Sequence, residues 1–363
     1  MILLLFLILI CSLLISGVRF NSKLGTKGEY ITRDRTTMIN GFFIWLVFLC
    51  HIQEYNFVLP TADSILYRCT IGAISQCIVA TFFFYSGYGI MLALKRNGVQ
   101  YASCLIRQRF TLLLVHFSIA VLIFAAVQYI IGVTFPIRQI VLSLVGWRSI
   151  GNSNWFIFVT LISYLFIAIG YVSFRKIGNL AVIGFVVIVL SALISLLSYR
   201  GWYWVSTPLC LPAGMLFCIA REKFENMLKH IFLPIWLSGL LIMVLGAFVF
   251  NFSYSYLGFY GKNAGAIMFA FGITFAFSGI IVKRPPSFLC WCGGPGLFYL
   301  YIFQRIPMLI GAHLEWHTTS TIFYEAFCIL TTLAIAWFSY KVFPYIDQFL
   351  NSFLAKRKEE TNL

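Results

Sequence analysis

A histidine at the end of a long apolar run is the first residue of this chain that asks for a chemical explanation. His51 closes the run FFIWLVFLCH, and Glu54 follows three residues later. Ionisable side chains are costly in such surroundings and normally face a cavity or a partner. A carboxylate one helical turn from an imidazole can fix its tautomer and raise its basicity, as a general base or nucleophile requires. The same residues also suit a histidine hydrogen-bonded between helices for structure. Eleven residues from Asn40, at 1.5 Å each, place His51 about 16 Å along its helix, near mid-membrane. Cys50 points about 100° away around that helix, which argues against a Cys–His pair.

Two further groups carry charge. Arg107-Gln108-Arg109 stands across a short segment from Lys95 and Arg96. Paired arginines hold phosphates bidentately and would suit a phosphorylated cytosolic ligand, although such clusters also anchor topology. Gln304-Arg305 lies within YLYIFQRIPML, so Arg305 is expected to face a polar interior rather than lipid. Cys290 and Cys292 form a lone C-x-C with no matching pair, a weak metal signal, and no metal is assigned. Trp155, Trp202 and Trp204 read as part of an interfacial aromatic belt.

The elements that must position these residues follow from composition. The chain has 363 residues, 61% of them hydrophobic and only 10% charged. Soluble chains carry about 25% charge, so a soluble globule is excluded. At roughly 20 apolar residues per span the chain divides into eleven segments. They are about Ile2–Val18, Met38–Leu59, Ile71–Leu94, Phe110–Val133, Trp155–Val172, Leu180–Leu197, Pro208–Ala220, Ile231–Phe250, Ala264–Val282, Leu297–Ala312 and Thr319–Val342. With the N-terminus outside, 20 of the 26 Lys and Arg residues fall on the cytoplasmic side. That asymmetry accounts for the net charge of +15 as membrane topology and removes nucleic acid from the candidate partners. The first segment lacks a basic leader and a small-residue cleavage site, and is expected to be an uncleaved span. The expected fold is therefore all-α: a polytopic membrane helix bundle of about eleven spans, N-terminus outside and C-terminus cytoplasmic. A leading helix and loop occupy 1–30, the main membrane domain 31–345, and a charged tail 346–363.

Five strings, in order, resemble the integral-membrane acyltransferase-3 family. TTMINGFFIWLVFLCH is similar to its first core helix, FFFYSGYGIML to its phenylalanine-rich segment and SNWFIFVTLISYL to its W-F helix. YWVSTPLCLPAGMLFCIAREKFE and GLFYLYIFQRIPM resemble a later glycine-bearing helix and the penultimate core helix. The family core has ten helices, which leaves one leading span here. The resemblance implies that His51 is catalytic; its spacing to Glu54 makes that carboxylate the residue expected to orient it. The resemblance also implies that Asn40, Ser86, Gly87, Tyr88, Trp155, Tyr301, Gln304 and Arg305 belong to the core motifs or pocket, and that Arg107 and Arg109 hold an acyl donor, with Arg33 and Arg35 as substitutes for basic residues of the family pattern that this chain lacks. Asn40 stands where the family commonly has Arg or Lys, and Leu112 where a second basic residue often follows.

The implied activity is transfer of an acyl group, acetyl first, from cytosolic acyl-CoA to a hydroxyl of a surface polysaccharide or lipid-linked oligosaccharide. The implied setting is the bacterial cytoplasmic membrane, with acetyl-CoA as a donor substrate and no bound cofactor. The alternative classes are a transporter or flippase of lipid-linked glycan, in which His51 and Arg305 line a polar path, and a glycan polymerase.

Overall fold

The structure is a computed structural model that describes residues 18–20, 31–55, 62–228, 234–282 and 286–360. Among the described residues the regular structure is helical apart from two three-residue strands. β1 (Val18–Phe20) pairs antiparallel with β2 (Ile280–Val282). The expected first span, Ile2–Val18, lies outside the described residues except for Val18.

The helices are α1 (Arg33–Ile52), α2 (Ala62–Cys104), α3 (Thr111–Ile130), α4 (Ile137–Leu144), α5 (Trp155–Phe174), α6 (Asn179–Leu197) and the short α7 (Trp202–Val205). There follow α8 (Cys210–Leu228), α9 (Ile235–Phe252), α10 (Tyr254–Ala276), α11 (Ser287–Gly293), α12 (Leu297–Phe303), α13 (Arg305–His313), α14 (Trp316–Thr319) and α15 (Thr321–Glu360). Among the described residues, seven helices are long and apolar enough to cross a membrane. The protein is thus a multi-pass helical membrane bundle. Large apolar side chains such as Leu122, Ile188, Leu241, Phe248, Leu330 and Trp337 point outward, an arrangement that suits lipid and not water.

Four expected segments change shape. The third and fourth are joined in a 57-residue helical stretch, Ile74–Ile130, about 85 Å at 1.5 Å per residue and far too long for one crossing. Gly98 divides it, with φ 54° and ψ −132°, a conformation that a side chain would oppose. The ninth segment stops being helical at Ala276, because the β-branched run Ile280–Val282 takes the extended strand instead. The tenth is broken at Gln304 into α12 and α13.

The core is built around a close crossing of α2 and α8. A Cβ on Gly87 would overlap the Leu211 carbonyl, and one on Gly214 the Phe84 carbonyl, so both glycines let the two backbones touch. Tyr88 meets Arg221 further along, while Cys77 lies near Cys210 towards the other end, so the two helices run in the same direction. α9 and α10 run oppositely, with Gly239 beside Phe275 and Gly246 beside Phe269. The crossing yields a prediction. Gly87→Ala should lower stability by about 1–3 kcal/mol, because a backbone carbonyl cannot step aside as a side chain can. Gly89→Ala, two residues on and facing open space, should leave the melting temperature of the detergent-solubilised protein unchanged.

α1 reaches further than the apolar run suggests. Thr32 accepts a hydrogen bond from the Arg35 amide at 3.4 Å, and Asp34 sits in the first turn, where the helix end favours an anion. The helix ends at Ile52 rather than Leu59. His51 therefore occupies the last turn, 18 residues or about 27 Å from Arg33, towards one end of the helix and not at its middle.

Candidate functional site

The last turn of α1 opens on a cavity of about 420 Å³, within the range of small-molecule sites. α1 and its C-terminal turn contribute Cys50, His51, Gln53 and Glu54, and α2 contributes Ser75 and Gln76. The loop before α5 brings Ser149, Asn152, Ser153 and Asn154, followed by Trp155. α7 adds Trp202 and Tyr203, and the α12–α13 junction adds Tyr301 and Arg305.

The polar loop is tied down by its own side chains. Asn152 Oδ1 accepts from the Ile150 amide at 3.0 Å, and Ser149 Oγ donates to the Asn152 carbonyl at 2.7 Å. Asn154 Nδ2 donates to the Gly146 carbonyl at 2.8 Å, and Gln128 Nε2 on α3 to the Ile150 carbonyl at 3.0 Å. A segment held this way presents fixed hydroxyl and amide groups to the cavity. Aromatic rings form the rest of the wall: Tyr301 packs on Phe156 at 5.3 Å and Trp155 on Tyr203 at 6.4 Å between centroids.

Arg305 and Glu54 form a two-pronged ion pair across 251 residues of sequence, with both N–H···O distances 2.9 Å. Arg305 Nε also donates to Ser153 Oγ at 2.9 Å. This corrects the expected role of Glu54. Helix geometry no longer sets its direction, because the chain has left α1 and turned, with the Glu54 amide on the His51 carbonyl at 3.1 Å. Its carboxylate meets a guanidinium fork, the stronger partner. Among the described residues no hydrogen bond joins it to His51. The imidazole instead has Gln304 and Arg305 as polar neighbours, with the Tyr301 ring 6.4 Å away.

The pair is lopsided, which makes it testable. The Arg305 side chain is 16% exposed and that of Glu54 is 52%. Removing the carboxylate strands a mostly buried cation, whereas removing the cation leaves a carboxylate that water can reach. Glu54→Gln should therefore cost about 1–3 kcal/mol of stability and Arg305→Met less. The double variant should recover much of the loss in thermal unfolding.

Of the residues singled out in the sequence, His51, Glu54, Trp155, Tyr301 and Arg305 meet at this cavity. Gln304 is fully buried just behind His51. Ser86, Gly87 and Tyr88 do not line it. Gly87 serves the helix crossing, Tyr88 Oη accepts from Arg221 Nη1 at 2.8 Å, and Ser86 meets Tyr164. Asn40 is half-buried on α1, 11 residues or about 16 Å from His51, with an unpartnered buried Oδ1.

The four arginines expected to hold a donor lie away from the cavity. Arg33, Arg107 and Arg109 are exposed, the latter two in a π-helical turn (Leu105–Phe110) between α2 and α3. Arg35 Nη1 donates to the Phe277 carbonyl at 3.2 Å. Cys290 and Cys292 sit on α11 against α1, and among the described residues no three His, Cys, Asp or Glu side chains gather as metal ligands.

Several cavity residues escaped the sequence reading. Ser149 and Asn152 were not singled out, and Ser153 entered only as the first residue of the SNWFIFVTLISYL string. Trp202, read as interfacial belt, forms part of the wall. Compared with protein-family models, with curated proteins and with solved structures, the chain matches none.

Proposed function

We propose that this membrane bundle is an O-acyltransferase that moves an acyl group, acetyl first, from cytosolic acyl-CoA to a hydroxyl of a surface polysaccharide or lipid-linked oligosaccharide. The observation that carries the proposal is a histidine in the wall of a polar and aromatic cavity, beside a carboxylate–guanidinium pair. Hydroxyl and amide groups with aromatic faces are the chemistry that receives sugars: polar atoms bond the hydroxyls and rings cover the apolar faces. The five-string resemblance to the acyltransferase-3 family supports the same reading.

In this mechanism His51 takes the proton of the acceptor hydroxyl as its oxygen attacks the thioester carbonyl. The new C–O bond forms, the C–S bond breaks, and the CoA thiolate leaves with the proton held by the imidazole. In the alternative order the imidazole attacks the thioester first and displaces the CoA thiolate, carries the acyl group, and passes it to the hydroxyl, whose proton ends on the thiolate. Arg107 and Arg109, with Arg33 and Arg35, would hold the donor's phosphates at the other end of α1. Its long thioester arm would then bridge the distance to the cavity.

The proposal extends to topology: eleven spans in a bacterial cytoplasmic membrane, N-terminus outside and C-terminus inside. The distribution of Lys and Arg supports it. So do the directions of the helices, since α2 and α8, the third and seventh spans of that count, run parallel, while α9 and α10 run antiparallel.

Deleting the gene and examining the surface glycan tests the activity. Loss of the O-acyl groups from an intact polymer is the expected result. Loss of the whole polymer would favour a transporter or polymerase instead.

A further inference from the structure

Among the described residues, two buried atoms at the site lack hydrogen-bond partners of good geometry, and they complement one another. Nδ1 of His51 and Oε1 of Gln304 are each buried and unpartnered. The two side chains lie against each other, and Gln304 is 0% exposed. The amide's orientation is set by its other end: Gln304 Nε2 donates to the Tyr301 carbonyl at 3.1 Å, a bond that only the nitrogen can make. Its oxygen is therefore the end left without a donor. Buried polar groups are rarely left in that condition, and a protonated Nδ1 is the donor that would satisfy both atoms at once.

We propose that Gln304 is the positioning residue of His51. Its Oε1 accepts the Nδ1–H, which selects the tautomer whose Nε2 lone pair is free for the cavity. The inference rests on the acyl-transfer reading for what Nε2 then does, and on the burial of the two atoms and the Gln304 Nε2 bond for the tautomer.

The fold supports such a role. Gln304 sits at the break between α12 and α13, and α12 packs against both α1 and α15. Its place is thereby tied to the helix that carries His51. An amide is also the affordable acceptor at a site with no solvent contact, since a carboxylate there would bring a buried charge. Among the described residues that line the cavity, the one carboxylate, Glu54, is occupied by Arg305. The other titratable groups facing this region are Arg305 from α13, Tyr301 from α12, Tyr203 from α7 and Cys50 from α1 itself. None of these forms a hydrogen bond with His51 among the described residues.

The test is nitrogen NMR of the full chain labelled with ¹⁵N-histidine, combined with steady-state kinetics. His51→Ala assigns the His51 signals among the 5 histidines. In wild type the neutral ring should show Nδ1 protonated and Nε2 bare. In Gln304→Met, which keeps the volume and removes the acceptor, the tautomers should mix, and kcat should fall about 10-fold with KM for donor and acceptor unchanged. A wild-type ring protonated on Nε2 overturns the proposal, whether or not the variant folds. So does a Gln304→Met protein with wild-type tautomer and kcat. If instead the tautomer shifts as expected while His51→Ala still transfers acyl groups, the positioning role stands and the acyl-transfer reading falls.

Discussion

His51→Ala should lower acyl transfer by about 10²–10⁴-fold, the usual worth of a positioned general base, while leaving the protein folded. The second half of that expectation follows from the site. His51 lines a cavity that is already polar and open, so the volume it vacates joins existing space for water and does not become a dry void in a packed core. The helix beneath it stays anchored by Phe43, Trp45, Val47, Phe48 and Leu49, all buried. Melting temperature and yield should therefore stay near wild type while turnover collapses. A variant lost from the membrane would instead mean that the ring is part of the packing. Glu54→Gln should lower activity less than His51→Ala, since it disturbs the ion pair that braces Arg305 and leaves the base in place.

The second large effect belongs to the donor. Arg107 and Arg109 lie exposed on a π-helical turn, far from the cavity, as phosphate contacts at a cytosolic mouth would be. Replacing both with Gln should weaken apparent CoA affinity by about 10- to 100-fold, the worth of charge-assisted hydrogen bonds, with acceptor affinity level. Lys replacements should keep part of the affinity, because they retain charge and lose the planar fork. The wild-type affinity should fall with salt, since exposed charges are screened. Simple topology anchors would behave differently: inserted protein would decline and the surviving fraction would bind CoA normally.

Some of this site was legible from residue chemistry alone. His51 and Arg305 stand out because an ionisable group in an apolar run needs a reason, and the structure brings both to one cavity. Their partners were not legible. The Glu54–Arg305 pair joins residues 251 apart, and nothing local in the sequence encodes it. Helical spacing pointed Glu54 at His51, but that inference holds only while the helix continues, and α1 ends at Ile52. The Ser86-Gly87-Tyr88 string shows another ambiguity. A small residue in a membrane helix marks a close approach, and its type cannot say whether a ligand or another backbone approaches. Here it is the Leu211 carbonyl. Hydropathy found long apolar helices such as Trp155–Phe174 and Asn179–Leu197. It could not see the break at Gln304, because that break interrupts hydrogen bonding within an apolar run and not the run itself.

The most direct measurement is transfer of label from acetyl-CoA by purified, bilayer-reconstituted protein to surface glycan prepared from cells lacking the gene. Labelled ester should form on glycan hydroxyls with one free CoA released per group transferred, and the His51→Ala protein should form none above background. Equal transfer by wild type and His51→Ala, or CoA release with no ester formed, would contradict the account.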